Sequence, residues 1–376
     1  MLFIRIFLVA TTFCNSVTID GLMGGYHIAV VGATGAAGTE LLRVLKRRSF
    51  PVASLRPIGS ARSIGKSIQF CGNSVPVEKL DAGSFDKIDI AFFSAGGDVS
   101  RKFVRVACQA DAIAIDKSSA FRMDPHVPLV IPEINADDVK QHRGVIANPN
   151  CTTTVMLMGL QPLHKIFRVH RVFAATYQAV SGSGTKGVDA LTSQTKAWTE
   201  NQESCSRRPM GDANASSVHD SHASHSEAAT VFPHPIAFNL LPHVDSFLEN
   251  GYTKEELKMQ DETRKIMHLP TLRVSATCVR VPVYRAHSVA VTAEFVRPVS
   301  LQQAREVLSK APGLELVDVP QSNQYPMPLN VAGKDNCQVG RLRLDCALEN
   351  GLSFWVSGDQ LLKGAALNAV QIAELL

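Results

Sequence analysis

At 376 residues the chain is too long for one ordinary domain and suits two. With 45% hydrophobic and 19% charged residues it can bury a large core, which excludes wholesale disorder. Its net charge of +4 comes from 38 basic and 34 acidic residues mixed along the chain, with no Lys/Arg block to follow a phosphate backbone; aromatics are only 6%, so nucleic acid is not expected as a partner.

The chain opens on MLFIRIFLVATTFC, apolar with one arginine, too short to span a bilayer as a helix and followed by no A-x-A cleavage site. Met23 then starts MGGYHIAVVGATG. Residues 1–22 are therefore expected to form an extension outside the fold, and the protein is expected in the cytoplasm without membrane contact. Cysteines at 14, 71, 108, 151, 205, 278, 337 and 346 are scattered without a CxxC, so neither a metal site nor a redox pair is expected.

Residues 27–31 (HIAVV) read as a buried strand, Gly32 to Gly38 (GATGAAG) as a glycine turn, and the leucines at 41, 42 and 45 as one face of a helix. This opens a dinucleotide-binding unit, whose glycine turn aims the helix N-terminal N–H groups at a pyrophosphate. The second strand, 55–58, ends without the carboxylate that would hold a ribose hydroxyl. Ser60-Ala61-Arg62-Ser63 follows, and Arg62 beside Ser63 suits a 2′-phosphate, which favours NADP. Strands at 88–93, 112–115 and 144–147 with a helix near 99–109 complete a doubly wound, Rossmann-like parallel sheet over residues 23–150, to which a C-terminal helix at 358–376 is expected to return.

Asn148-Pro149-Asn150-Cys151-Thr152-Thr153 is a turn running into an apolar helix. It places Cys151 at a helix N-terminus, where the dipole favours a thiolate and free N–H groups can hold an oxyanion. The long alternating segments 168–180, 272–283 and 288–295 predict a second domain, 151–357, of α+β type with a mixed or antiparallel sheet. Gln178 closes the first of these strands, and Ser181-Gly182-Ser183-Gly184 is a second glycine turn. Residues 203–230, rich in Ser, His and Asp, are expected as a flexible insert; His219, His222 and His225 within it read as solvated rather than metal-binding. Thr253 and Glu256 form a capping box, with Glu255 and Lys258 on one helix face reading as a solvated surface pair. Arg280 and His287 flank a proline-containing strand end, and His287 is suited to move a proton near neutral pH.

Together these motifs resemble the aspartate-β-semialdehyde dehydrogenase family. The resemblance runs from about residue 26 to 376 and rests on GATGAAG, SARS (60–63), FFSAGG (92–97), SSAFRMD (118–124), NPNCTT (148–153), TYQAVSGSG (176–184), YTKEELKM (252–259), ATCVRVPVYRAHS (276–288) and GDQLLKGAA (358–366). It implies NADPH-dependent reduction of L-aspartyl 4-phosphate to aspartate semialdehyde, a step toward lysine, threonine and methionine. It also implies Cys151 as the nucleophile that forms a thioester, His287 as general acid/base, and Gln178 orienting the acyl group. Arg280 would hold the substrate carboxylate, Glu255 its amino group, and Arg122 and Lys258 its phosphate, with Asn150 positioning the substrate. NADP would be contacted by residues 34–37, Arg62, Ser63, Ser181, Gly182 and Gln360. A homodimer, or a dimer of dimers, is implied as well. N-acetyl-glutamyl-phosphate reductase would explain the cysteine, the histidine and the glycine turn, but not YTKEELKM with ATCVRVPV. A non-catalytic paralogue acting as a binding protein would not need both Cys151 and His287.

Overall fold

The computed structural model describes residues 24–206 and 231–376; the N-terminal extension and all three histidines of the Ser/His-rich stretch lie outside the described residues. In chain order the first half runs β1 (Tyr26–Val31), α1 (Ala36–Arg47), β2 (Val52–Gly59), β3 (Ser67–Phe70), β4 (Asn73–Pro76), β5 (Glu78–Lys79), β6 (Ile90–Phe93), α2 (Gly97–Gln109), β7 (Ile113–Asp116), α3 (Pro132–Asn135), β8 (Val145–Ala147) and α4 (Cys151–Phe167). The rest runs β9 (Val169–Gln178), α5 (Thr185–Ser206), α6 (Lys254–Ile266), β10 (Arg273–Arg280), β11 (His287–Phe295), α7 (Leu301–Ser309), β12 (Leu314–Leu316), α8 (Pro328–Val331), β13 (Cys337–Leu344), β14 (Gly351–Gly358) and α9 (Leu367–Ala373).

The first sheet has the order β5-β2-β1-β6-β7-β8 with every pairing parallel. Its central strand β1 is covered on both faces, which explains the unbroken apolar run HIAVV. The second sheet, β10-β9-β11-β14-β13-β12, is mixed, as its alternating sequence led us to expect. Here β9 and β10 run parallel in register, with Gln178 opposite Arg280, while β11 runs antiparallel to β9 and begins at His287. One edge of the sheet therefore collects Gln178, Arg280 and His287. The even-numbered residues of β9 from Val172 to Gln178 are buried; the odd-numbered Phe173, Ala175 and Tyr177 lie on a more open face.

Helix α4 packs on the second sheet, against β9, β11 and β14, and on the turn Leu362–Ala366. It is apolar nearly all round, with Val155, Met156, Leu157, Leu160, Leu163 and Phe167 all buried. Because α4 leads straight back into β9, its N-terminus lies at the end where β9 finishes. The turn at Asn148–Cys151 therefore faces the edge that carries Gln178.

Two expectations need correction. The helix expected over 358–376 starts only at a π-helical turn, Leu362–Ala366, and continues as α9; it is buried almost throughout rather than amphipathic. It does return to the first sheet, where Leu362, Leu367 and Val370 join Ile28, Val30 and Leu41 in one core. Its polar residues are buried because they are paired: Lys363 Nζ donates to Glu133, to Asn368 Oδ1 (2.9 Å) and to Gln371 Oε1 (2.8 Å), and Asn368 Nδ2 donates to Val130 O (2.9 Å). Of the insert expected over 203–230, residues 203–206 belong to α5, which continues through Ser206, and the rest lies outside the described residues.

Lys363 and Glu133 are 1% and 10% exposed at their side chains, so removing one partner strands a buried charge. Lys363→Ala should destabilise the protein by roughly 3–5 kcal/mol in denaturant unfolding. Replacing both, Lys363→Met with Glu133→Gln, should recover most of that loss. A cost for Lys363→Ala below about 1 kcal/mol, the scale of an exposed pair, would show that the pair is not effectively buried.

Candidate active site

On the dinucleotide side, Gly32 (φ +85°) turns the chain after β1, and a Cβ on Gly38 would sit 2.2 Å from Gly32 O. Only glycine allows the start of α1 to come this close to the turn. Among the described residues the N–H groups of Ala36, Ala37 and Gly38 have no acceptor, while Thr39 N–H already donates to Gly35 O (2.8 Å). Three free amides at a helix N-terminus, reached over a glycine turn, suit a dinucleotide pyrophosphate. Thr34 Oγ1 and Ser63 Oγ are hydrogen-bonded at 2.9 Å, which joins the turn to the segment carrying the exposed Arg62. Ser181 Oγ donates to Tyr284 O and accepts from Gln360 Nε2, and Gln360 Oε1 takes the Ala286 N–H (2.7 Å). Ser181, next to Gly182, is thus fixed against the 358–366 motif.

Asn150 caps α4, its side-chain oxygen accepting from Thr152 N (2.9 Å) and Thr153 N (3.1 Å), and its carbonyl takes Thr154 N (2.9 Å). These bonds leave the Cys151 N–H as the first-turn amide with no acceptor. Oxyanion binding by the wider set of first-turn amides, which the sequence suggests, is thereby narrowed to one. A Cβ on Gly364 would lie 2.7 Å from Cys151 Cβ, so the π-helical turn packs directly against the nucleophile. The thiol itself departs from expectation. Burial and the Glu255 carboxylate push it above the ordinary range, against the pull of Lys117 and, less strongly, Arg122. The helix dipole does not decide the balance here, because desolvation penalises the thiolate more.

Glu255 is buried, not solvated. Its Oε1 accepts from Asn150 Nδ2 (2.9 Å) and Gln178 Nε2 (3.2 Å), and its Oε2 from Lys258 Nζ (3.2 Å). Lys258 also reaches Asp245 Oδ2 (2.6 Å). Burial works to lower its pKa, but the two carboxylates outweigh that and leave it raised. The capping box at Thr253 and Glu256 is present, and Glu256 Oε1 also receives the Cys278 N–H (2.9 Å).

The Ala179 peptide, one residue past Gln178, serves two further side chains. Its N–H donates to His287 Nδ1 (3.0 Å), and its carbonyl accepts from Arg280 Nη1 (2.7 Å). Since Nδ1 is an acceptor, the neutral ring carries its hydrogen on Nε2, and that nitrogen has no partner. Burial and then Arg280 push the His287 pKa down to about 3, so the ring is neutral at pH 7. A Cβ on Gly182 would come within 2.7 Å of Arg280 Nη1 and 3.3 Å of His287 Nε2, so that glycine leaves room for both.

Arg122 donates from Nε to Asn148 O (3.0 Å), from Nη2 to Lys117 O (2.7 Å) and from Nη1 to Glu262 Oε1 (2.9 Å). Three of its five N–H groups are engaged and two are left. Arg122 and Lys258 line one cleft together with Ser119, Lys254 and Glu262. Sequence reasoning passed over Glu262, although it lies seven residues after Glu255 and so on the same face of α6. It also passed over Lys117, which no motif singled out and which enters only because β7 ends beside the nucleophile turn.

Residues 27–142 match the family model of the semialdehyde dehydrogenase NAD binding domain, and residues 160–363 that of the semialdehyde dehydrogenase dimerisation domain. The aspartate-semialdehyde dehydrogenase of Aquifex aeolicus is 48% identical over 355 residues, covering 94% of this chain and 98% of the relative. That of Bacillus subtilis is 44% identical over 353 residues, covering 94% and 97%. The crystal structure of aspartate semialdehyde dehydrogenase II from Vibrio cholerae complexed with ASA matches at 39% identity with a TM-score of 0.83, covering 94% of this chain and 98% of that one.

The charges around Cys151 give a pH test. Its iodoacetamide alkylation, followed by peptide mapping, should rise with a midpoint above the ~8.5 of a free thiol. Glu255→Gln removes a like charge that opposes the thiolate, so the midpoint should move down and alkylation at pH 7 should become faster. A midpoint below about 8 in the unliganded protein, or an upward shift in Glu255→Gln, would contradict this charge balance.

Proposed function

The chain belongs to the aspartate-semialdehyde dehydrogenase family, and from that premise we propose that it reduces L-aspartyl 4-phosphate to L-aspartate 4-semialdehyde with release of phosphate. NADPH supplies the hydride when bound. The protein is an oxidoreductase with an NAD(P)-binding unit. The observation that carries the substrate assignment is the grouping of one nucleophile with two separate anion-binding sites and one buried carboxylate. Arg280 and the Arg122–Lys258 cleft bind opposite ends of a doubly anionic substrate, and Glu255 takes its ammonium group. Cys151 stands between them.

As a thiolate, Cys151 attacks the acyl carbon; the bond to phosphate breaks, and the phosphate leaves with the electron pair. Hydride addition to the thioester then expels the thiolate as the aldehyde forms. The proton that Cys151 gives up on ionising goes to the departing phosphate, which leaves as the hydrogen phosphate dianion, and His287 is the general acid/base for that transfer. The hydride step needs no net proton transfer; in both steps a hydrogen bond from His287 Nε2 to the acyl oxygen, with the Cys151 N–H as the second donor, holds the developing charge. Gln178, hydrogen-bonded to Glu255, orients the acyl group, and Asn150 holds the turn. A substrate carboxylate on Arg280 also offsets the cation that depresses His287.

The first-turn amides of Ala36, Ala37 and Gly38 fit a pyrophosphate, and Gly35, Thr34, Ser63, Ser181, Gly182 and Gln360 are assigned to the same cofactor on the strength of the family motifs. NADP is favoured over NAD by Arg62, which is exposed beside Ser63 where a 2′-phosphate would lie. The open sheet face bearing Phe173, Tyr177 and Trp355, with the Tyr177 and Trp355 rings 5.1 Å apart and tilted by 38°, supports a homodimer formed through the second sheet. Among the described residues no helix is long and apolar enough to cross a membrane. Six described cysteines are free, which suits a reducing cytoplasm.

Phosphate-dependent reduction of NADP by aspartate semialdehyde, run beside the N-acetyl-glutamate analogue, tests the reaction; activity only with the analogue would overturn it. Cys151→Ala should abolish turnover and leave cofactor binding nearly intact. A residual tenth of wild-type activity would rule out covalent catalysis there.

Arg62→Ala should weaken NADPH far more than NADH, by about tenfold or more, because only NADPH carries the 2′-phosphate. Equal losses for the two cofactors would show that Arg62 does not read that group.

A further inference from the structure

We propose that Glu262 is a positioning residue that fixes the Arg122 guanidinium and the Cys151 turn relative to one another, so that one carboxylate sets both the phosphate subsite and the nucleophile. The proposal rests on the reaction assigned above. Glu262 is 1% exposed at its side chain. Its Oε1 accepts from Arg122 Nη1 (2.9 Å) and its Oε2 from the Asn150 backbone N–H (2.6 Å).

The Asn150 peptide immediately precedes Cys151, and the Asn150 side chain caps the helix that Cys151 begins. A rotation of that peptide moves the thiol. Arg122 has two other acceptors, Asn148 O and Lys117 O, both backbone carbonyls. Glu262 is the only charged partner of Arg122 among the described residues, and it decides which two N–H groups remain for an anion. It also projects from α6, the helix that supplies Glu255 and Lys258, so the phosphate cations and the amino-group acceptor share one rigid base.

Neither conservative replacement can copy this geometry. Aspartate keeps the charge but is one methylene too short to span both donors. Glutamine keeps the length, but its NH2 must face either Arg122 Nη1 or the Asn150 N–H, donor against donor. A bond to a charged group is stronger than a neutral one, so each change should shift phosphate handling by about tenfold or more.

The experiment measures Glu262→Asp and Glu262→Gln in the phosphate-dependent direction, with separate Michaelis constants for phosphate and semialdehyde. A second arm records how well inorganic phosphate protects Cys151 from iodoacetamide, which needs no turnover. Both variants should raise the phosphate constant about tenfold and weaken phosphate protection in parallel, and should lower kcat about tenfold because the Cys151 turn loses its anchor, while the semialdehyde constant, set by other residues, stays within about twofold. Thermal melts accompany both, since a merely structural role would lower melting temperature and active fraction without separating the two constants. Phosphate constants within about twofold of wild type, or both constants rising together, would overturn the proposal, as would failure of both variants to fold. If the wild type itself shows no phosphate-dependent turnover, the assigned reaction fails, and the protection arm still judges Glu262 on its own.

Discussion

A carboxylate taken out of water must be paired, and around Glu255 that requirement organises the site. Its two oxygens receive donors from three places: the cap of α4, the end of β9 and the next turn of its own helix. The three meet on this one carboxylate. The cap sets where Cys151 begins, Gln178 ends the strand beside Arg280, and Lys258 extends the cluster into the phosphate cleft. Burial and the same negative charge raise the Cys151 pKa by more than Lys117 and Arg122 lower it; in the proposed reaction a bound substrate ammonium offsets that charge.

The histidine side of the site is held by backbone rather than by charge. The Ala179 peptide fixes His287 and Arg280 at once, and Gly182 leaves the space they occupy. The loop into His287 carries strain at Ala286, whose φ of 76° costs a non-glycine residue about 1–3 kcal/mol. Neighbouring contacts enforce it: Arg285 Nε donates to Asp359 Oδ2 (2.6 Å), its Nη2 to Glu40 Oε1 on α1 (3.2 Å), and the Ala286 N–H to Gln360. Because Glu40 lies on α1, whose first-turn amides we propose for the pyrophosphate, this chain of contacts joins that helix to His287, the residue we propose as donor to the reacting oxygen.

Much of this was legible in the sequence because it depends on local rules. HIAVV could only be a strand buried on both faces, and Asn-Pro-Asn-Cys-Thr-Thr could only start a helix at the cysteine. Gln178, Arg280 and His287 were readable as strand ends; that they share one sheet edge follows from the register of β9 with β10 and β11, which no local pattern encodes. The direction of the Cys151 shift was not legible, since it is set by burial and by Glu255, about a hundred residues away. Glu262 and Lys363 were missed for a related reason. A charged residue reads as solvated until the fold supplies the partner that lets it be buried, and their partners Arg122 and Glu133 lie far along the chain.

The central claim is that the acyl group passes through a covalent bond to Cys151, and the most direct test is to look for that bond. The protein is mixed with aspartate semialdehyde and NADP without phosphate, quenched in acid, and its intact mass and peptide map are recorded. The account predicts an aspartyl adduct on the peptide containing Cys151, which disappears when phosphate is added before the quench. Phosphate-dependent turnover with no adduct, or an adduct on another residue, would contradict it.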